Sequence, residues 1–184
     1  QMEKSLINLR TDYVDLYYLH HCNFGDHDEY LSDALEMVQR FREEGKTRFI
    51  GLSDWDASKI MKFIDDVKPD VIQPYRNLMN DSYVSSGLKD WVNVHNVGVC
   101  FFSPIMHGLL TGKYTQPTNF KSGDMRAGIA EFTNIDIIKK IGENKTLLEA
   151  RFSKQPNPVM HGIVDSLLTD TETSCVLLGQ RNVE

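Results

Sequence analysis

The fold is decided by residues 45–74, with the sequence GKTRFIGLSDWDASKIMKFIDDVKPDVIQP. Two runs rich in apolar and β-branched residues, Thr47–Asp54 and 70–77, predict strands. Between them, residues 60–67 place apolar side chains at the spacing of one helix face. Residues that cap or end helices flank these elements, namely Gly45, Asp54, Asp56 and Pro69. The stretch therefore predicts one right-handed βαβ unit with parallel strands.

The same alternation extends in both directions from this unit. Further strand-like runs occupy residues 13–20, 98–104 and 174–179, and helical periodicity returns at residues 31–41, 88–95, 135–148 and 163–167. The strands are mostly apolar with little alternation, which is typical of strands covered on both faces. Residues 115–128 have no such periodicity and predict a long inserted loop. We therefore expect a parallel α/β fold with five strands in sequential order, forming a single domain over residues 1–184.

The composition excludes several classes of protein. The 184 residues include 20 Lys and Arg against 26 Asp and Glu, and the net charge of −6 gives no basic field for nucleic acid or anionic lipid. The three cysteines have no redox or metal-site spacing, which argues against a disulfide scaffold and for a reducing compartment. No apolar stretch approaches the roughly 20 residues that cross a bilayer, and the first residues have no signal-peptide core. We therefore expect a cytoplasmic protein without a membrane or nucleic-acid partner.

A metal site is not expected. His20, His21, Cys22 and His27 are close in sequence, but adjacent strand residues point to opposite faces of a sheet. No second ligand pair follows at helical spacing.

The carboxyl ends of parallel strands are where functional residues collect in α/β proteins. His20 ends the first predicted strand, where a partly dry imidazole could orient a carbonyl oxygen or serve as a structural histidine. Ser53 and Asp54 end the second, where they could cap the next helix or bind a ligand. Gln73 on the third strand needs partners for both sides of its amide, from the core or from a ligand.

Phe102 ends the fourth strand, where its ring could belong to the core or could form a platform for a planar heteroaromatic ring. Residues 108–114, GLLTGKY, superficially resemble a phosphate loop, but the glycine spacing is one residue short and Tyr114 replaces the magnesium-binding Ser or Thr. The sequence contains no G-x-G-x-x-G fingerprint and no G-x-S-x-G elbow. A Rossmann fold, a kinase and a serine hydrolase are therefore disfavoured.

Several segments, taken in order, carry a resemblance to a known family. They are Ser5-Leu6 with Leu9, DYVDLYYLH (12–20), GKTRFIGLS (45–53), VIQ (71–73) with Asn77-Leu78, FSP (102–104) with GLLTGKY (108–114), and LGQRN (178–182). Over essentially the whole chain they resemble the carboxyl-terminal two-thirds of aldo-keto reductases, especially the branch of potassium-channel β subunits and related bacterial reductases. The resemblance implies part of a (β/α)8 TIM barrel that transfers hydride between NADPH and a carbonyl, reducing aldehydes or ketones to alcohols.

The resemblance also implies roles for individual residues. His20 matches the histidine that orients the substrate carbonyl. The residues that match cofactor-binding positions are Ser53, Asp54 and Gln73 for the nicotinamide carboxamide, Phe102 for the nicotinamide ring, Ser103, Pro104 and Ile105 for the pyrophosphate loop, Lys113 and Arg126 for the phosphates, and Gly179 and Arg181 for the adenosine end. NADP(H) is the cofactor that these positions imply.

Two departures from the family pattern qualify this interpretation. Asp54 stands where asparagine or arginine is usual, so an acceptor-only carboxylate replaces a donor. The match begins in the helix before the fourth barrel strand, so the family's catalytic tyrosine, lysine and aspartate have no counterpart. We therefore expect an incomplete form of an oxidoreductase whose exposed sheet edges favour self-association. The alternative is a non-catalytic nucleotide- or partner-binding regulatory module.

Overall fold

The computed structural model of the chain describes residues 2–179. The strands are β1 (Val14–His20), β2 (Thr47–Asp54), β3 (Val71–Pro74), β4 (Gly98–Phe101) and β5 (Ser174–Val176). The α-helices are α1 (Met2–Leu9), α2 (Leu31–Glu43), α3 (Ala57–Val67), α4 (Ser82–Ser85), α5 (Leu88–His95), α6 (Ile135–Arg151) and α7 (Pro158–Leu168). Short 3-10 helices cover Asp26–Asp28, Met106–Thr111, Met125–Gly128 and Ala130–Thr133.

The five strands form one parallel sheet in the order β1-β2-β3-β4-β5. This confirms the expected strand number, direction and order. Strands β3 and β4 are shorter than predicted and continue only as an isolated bridge between Tyr75 and Phe102. The backbone of Ser103 is left-handed, with φ of 59°, and a strand cannot continue through that conformation.

The helix ends that were predicted from sequence have clear local causes. Gly45 adopts φ of 71° after α2, a backbone conformation that costs glycine nothing. The Asp56 side chain caps α3 by accepting the Ser58 N–H at 2.9 Å. Asp54, the other candidate cap, instead accepts the Asp56 N–H at 2.8 Å. Helix α3 ends at Val67, two residues before Pro69.

The two faces of the sheet differ. The outer face packs side chains such as Leu52, Ile72 and Phe101 against the helices, and these three are almost completely buried. Because side chains alternate along a strand, the neighbouring positions belong to the opposite, inner face. That inner face includes Tyr18 and Ser53. Ser53 lies close to the carboxyl end of β2.

A second apolar cluster lies beyond β4. The loop predicted over residues 115–128 is irregular until its 3-10 helix, yet it is fixed by aromatic contacts. The rings of Phe120 and Tyr114 pack edge-on against Phe132, at 4.9 and 5.1 Å between centroids. Within residues 2–179, no helix is long and apolar enough to cross a membrane.

Gly51 gives a test of the packing on the inner face. A Cβ added there would lie 2.3 Å from the Tyr18 ring, so the ring would have to move. We expect Gly51→Ala to lower the free energy of unfolding by about 1 to 3 kcal/mol, measured by urea denaturation. The matched control is Gly128→Ala, because no described atom lies within 4 Å of a Cβ at that position. Equal losses in both variants would contradict the proposed cause.

Candidate functional site

His20, Ser53 and Gln73 form a transverse row at the ends of three strands. Ser53 is the register partner of both other residues. Ser53 is 1% exposed, and its hydroxyl donates towards two oxygens of Gln73, the side-chain Oε1 and the main-chain carbonyl, each at 3.1 Å. Because Oε1 is the acceptor, the NH2 group of Gln73 keeps its capacity to donate to another group.

His20 is exposed at the end of β1, and its ring lies 3.9 Å from that of His21 between centroids. The chain then turns through left-handed backbone at His21 and Cys22, with φ of 71° and 33°. Such conformations cost non-glycine residues energy, and strained residues of this kind cluster at functional sites. This turn ends the strand with the His20 imidazole accessible to a ligand.

Asp54 is a buried carboxylate that is only half satisfied. It is 4% exposed, and its Oδ1 accepts the Asp56 N–H, whereas its buried Oδ2 has no hydrogen-bond partner among residues 2–179. Burial, reinforced by the Asp54 charge, raises the pKa of the Cys22 thiol to about 12. The neighbouring thiol is therefore neutral near pH 7.

Three aromatic rings meet beside this row. Phe102 lies edge-on to Trp55, at 4.9 Å between ring centroids, and 5.4 Å from Tyr75. Trp55 and Tyr75 are tilted against each other at 4.9 Å. Trp55 directly follows Asp54, so its position after a predicted strand end was a signal that sequence reasoning did not use.

A cavity of about 730 Å³ opens next to these rings. Seven of the residues predicted to bind a cofactor line it, namely Phe102, Ser103, Pro104, Ile105, Lys113, Arg126 and Gly179. The other lining residues, which were not predicted, are Trp55, His107, Gly108, Asp124, Met125 and Leu177. His20, Ser53, Asp54 and Gln73 do not line the cavity and lie at the strand ends described above. Arg181 lies outside the described residues.

The cavity wall after β4 has an unusual backbone. Ser103, Met106 and His107 all have positive φ, between 46° and 59°. The Ser103 hydroxyl is buried and has no hydrogen-bond partner in the described part of the chain. Gly108 adopts φ of 91°, and a Cβ added there would lie 3.0 Å from Lys113 Nζ. Glycine therefore leaves room for the Lys113 side chain at the cavity wall.

Arg126 is fixed by several contacts in this wall. Its guanidinium donates to both oxygens of Asp124, at 2.9 and 2.5 Å, and to Tyr114 Oη at 3.2 Å. It also lies 4.2 Å from the centroid of the Phe120 ring. The hydrogen bond to Asp124 is the main cause that raises the pKa of Arg126, so its positive charge is permanent.

Two cationic side chains, an aromatic platform and the buried Ser103 hydroxyl, which has no partner in residues 2–179, therefore lie around one cavity. Pockets of about 300 to 1,000 Å³ with a few convergent polar groups are typical sites for small ligands. The lining carries Lys113 and Arg126 against Asp124, and this net positive charge favours an anionic ligand. Within the described residues, no group of three or more His, Cys, Asp or Glu side chains could hold a metal ion.

Comparisons with known proteins agree with this architecture. The chain is 30% identical to L-galactose dehydrogenase from Arabidopsis thaliana, over 99% of this chain and 53% of that protein. It is 25% identical to a probable voltage-gated potassium channel subunit beta from the same plant, over 79% of this chain and 47% of that protein. The chain thus spans about half the length of these curated relatives.

A solved structure gives the same fold. Glycerol dehydrogenase from Gluconobacter oxydans superposes with a TM-score of 0.78 over 96% of this chain and 52% of that one, at 24% sequence identity. The five strands therefore correspond to part of a (β/α)8 barrel, as the sequence predicts. The sequence model of the Aldo/keto reductase family matches residues 1–153. Because this match covers most of the 184 residues, the chain belongs to the aldo/keto reductase family.

Proposed function

We propose that this chain is the cofactor-binding part of an NADPH-dependent oxidoreductase that reduces small aldehydes or ketones to alcohols in the cytosol. The observation that carries the proposal is the cavity beside β4, which brings together seven residues that were selected from sequence for cofactor binding. Family membership supports oxidoreductase chemistry with a nicotinamide cofactor. The partner is then a small carbonyl compound.

The residues present fit a nicotinamide dinucleotide. Phe102 offers an aromatic surface for the nicotinamide ring, and Lys113 and Arg126 offer positive charge for its phosphates. The buried Ser103 hydroxyl, which has no partner within the described residues, can bond with a phosphate oxygen. When bound, the cofactor supplies the hydride. The protein's contribution is to hold and orient it.

The row on β1 to β3 would orient the reacting groups. Gln73 can donate its amide N–H to the carboxamide oxygen, because Ser53 occupies Oε1. Asp54 Oδ2, which lacks a partner in residues 2–179, can accept the carboxamide N–H. His20, exposed at the end of β1, would donate to the substrate carbonyl oxygen and polarise it.

The Phe102 platform gives a direct test of this proposal. We expect Phe102→Ala to weaken NADPH binding by about 1 to 3 kcal/mol, because the ring-on-ring contact is lost. Binding is measured by NADPH fluorescence titration. The matched control is Phe49→Ala, which removes an aromatic ring of β2 that is 49% exposed and does not line the cavity. NADPH affinity unchanged in Phe102→Ala would place the nicotinamide ring elsewhere.

A second candidate function is a non-catalytic module that binds a nucleotide or a partner protein. The similarity to a probable voltage-gated potassium channel subunit beta favours it. This alternative predicts NADPH binding without turnover in any longer form of the protein.

Self-association is expected from the sheet edges. Each of β1 and β5 has one neighbouring strand in the described sheet, so backbone donors and acceptors remain on its other side. We expect light scattering to detect dimers or larger species at tens of micromolar. Leu16→Lys, which places a charge on β1, should shift the equilibrium towards monomer. If light scattering detects only monomer for the unaltered chain, self-association through the sheet edges is contradicted.

A further inference from the structure

Two cysteines extend the functional row across the sheet. Cys100 in β4 and Cys175 in β5 are register partners, so their side chains leave the same face. Gln73 lies at the same level, because Ile72 pairs with Val99 one residue earlier in both strands. The row that begins at His20 therefore ends in a pair of thiols.

The strand register brings the two cysteines within the span of a disulfide. Cys100 is the register partner of Cys175 and lies level with Gln73, so the three side chains leave the same face of the sheet from neighbouring strands. Paired residues on neighbouring strands have Cα atoms about 4.8 Å apart. That separation falls in the range of about 4.4 to 6.8 Å that a disulfide spans. β5 has three residues, and β4 is its one neighbouring strand in the described sheet.

The two thiols differ in their exposure to solvent. Cys175 is exposed, whereas Cys100 is 8% exposed. Burial raises the pKa of the Cys100 thiol to about 12, and the neighbouring Cys175 adds to this effect. An incoming reagent therefore meets Cys175 first, and Cys100 is placed to react second.

We propose that Cys100 and Cys175 form a dithiol site that reacts with low-molecular-weight disulfides, of the glutathione disulfide class, to give an intramolecular disulfide. The dithiol site does not depend on the proposed oxidoreductase activity. It adds a thiol-modification site to the inner face of the sheet, next to Gln73.

The reaction balances in two exchange steps. The Cys175 thiolate attacks one sulfur of the small disulfide, forming a mixed disulfide and releasing one thiolate. Cys100 then loses its proton to solvent and attacks the Cys175 sulfur, which breaks the mixed disulfide and releases the second small thiolate. Two electrons pass from the protein to the small disulfide, and each released thiolate takes up one proton from water.

Cys22 provides an internal control. It is 4% exposed, and its thiol lies 3.8 Å from the Ser53 carbonyl oxygen, to which it donates. Burial raises its pKa to about 12 as well, but it is not paired in register with either other cysteine. It should therefore remain a free thiol when the pair is oxidised.

The test is to incubate the folded chain with glutathione disulfide and to analyse it by intact and peptide mass spectrometry. We expect a loss of two hydrogens, a cross-linked peptide that joins Cys100 to Cys175, and an unmodified Cys22. Cys100→Ser should stop at a glutathione adduct on Cys175, and Cys175→Ser should gain neither adduct nor cross-link. Cys22→Ser should behave as the unaltered chain. Circular dichroism confirms that each variant is folded.

Three results would overturn the proposal. They are a glutathione adduct that persists on Cys175 of the unaltered chain, disulfides between chains in place of the internal one, and a cross-link that includes Cys22. Reversal by dithiothreitol, with return of the original mass, is expected for the closed pair.

Discussion

Arg76→Ala is expected to lower the free energy of unfolding by about 3 kcal/mol, because it removes a buried guanidinium that joins distant parts of the chain through an ion pair, a hydrogen bond and ring contacts. The guanidinium is 6% exposed and donates to the Leu167 carbonyl at 3.0 Å and to Asp170 Oδ2 at 2.8 Å. It also lies within 4.9 Å of the centroids of two fully buried rings, Tyr83 and Phe101. Replacing Arg76 with alanine therefore removes an ion pair, a hydrogen bond to a carbonyl and the packing on two aromatic rings in one step.

The expected loss is smaller than the loss for a pair in which both charges are buried. Asp170 is partly exposed and keeps a second cation, Lys89, at 3.5 Å, so its charge is not left alone. The measurement is urea unfolding followed by tryptophan fluorescence. Arg76→Lys is the matched variant. Its free energy of unfolding should lie between those of the unaltered chain and Arg76→Ala, because a lysine ammonium cannot reproduce the fixed arrangement of N–H donors on the guanidinium. A loss below about 1 kcal/mol in Arg76→Ala would show that this bridge is not part of the cooperative unit.

The same pair makes part of the stability depend on pH. The hydrogen bond from Arg76, followed by the charges of Lys89 and Arg76, lowers the pKa of Asp170 below its ordinary value, against the effect of burial. A carboxyl group with a lowered pKa in the folded state contributes stability above its unfolded pKa and loses it as the pH falls through the folded pKa. The stability difference between the unaltered chain and Asp170→Asn should therefore shrink below about pH 4.

The sheet could be predicted because its signals are local. Thr47–Asp54 is a strand-like run rich in apolar residues, and Asp56 and Pro69 mark the ends of the next helix within a few residues of it. Sequential parallel order then follows from short right-handed connections. The predicted ends of the strands were less accurate. The left-handed turn at Ser103, which ends β4, depends on the cavity wall and has no sequence signature.

The site was predicted less completely because its walls come from distant segments. Residue types at strand ends pointed to Phe102. Met125 reaches the same cavity through the fold of residues 115–128, and Leu177 reaches it by following β5. The contacts of Arg76 could not be predicted for the same reason. Its partners in α7 and beyond lie about ninety positions away in the chain. The pairing of Cys100 with Cys175 required the register of β5.

The 184-residue chain is expected to show no NADPH-dependent reduction of 4-nitrobenzaldehyde above background. Carbonyl reduction needs a proton donor as well as hydride, and losing a general acid costs about 10² to 10⁴ in rate. The family resemblance assigns that role to a tyrosine that no residue of this chain matches. Tyr18 lies two residues before His20 on the same face of β1, but burial, reinforced by Cys100 and Cys175, raises its pKa far from neutrality. It is therefore a poor donor at pH 7.

The decisive experiment compares this chain with a longer form that also contains the catalytic groups of the family pattern. A form extended by about 80 to 120 residues that provide three further βα units, with the tyrosine, lysine and aspartate of the family pattern, should reduce the aldehyde. In that form His20→Ala should lower kcat, because the carbonyl oxygen loses the donor that polarises it. Persistent inactivity of the extended form, with NADPH bound, would favour the non-catalytic module. Turnover by the 184-residue chain that disappears in His20→Ala would contradict the prediction, because one of the chain's own residues would then supply the proton in place of the family's tyrosine.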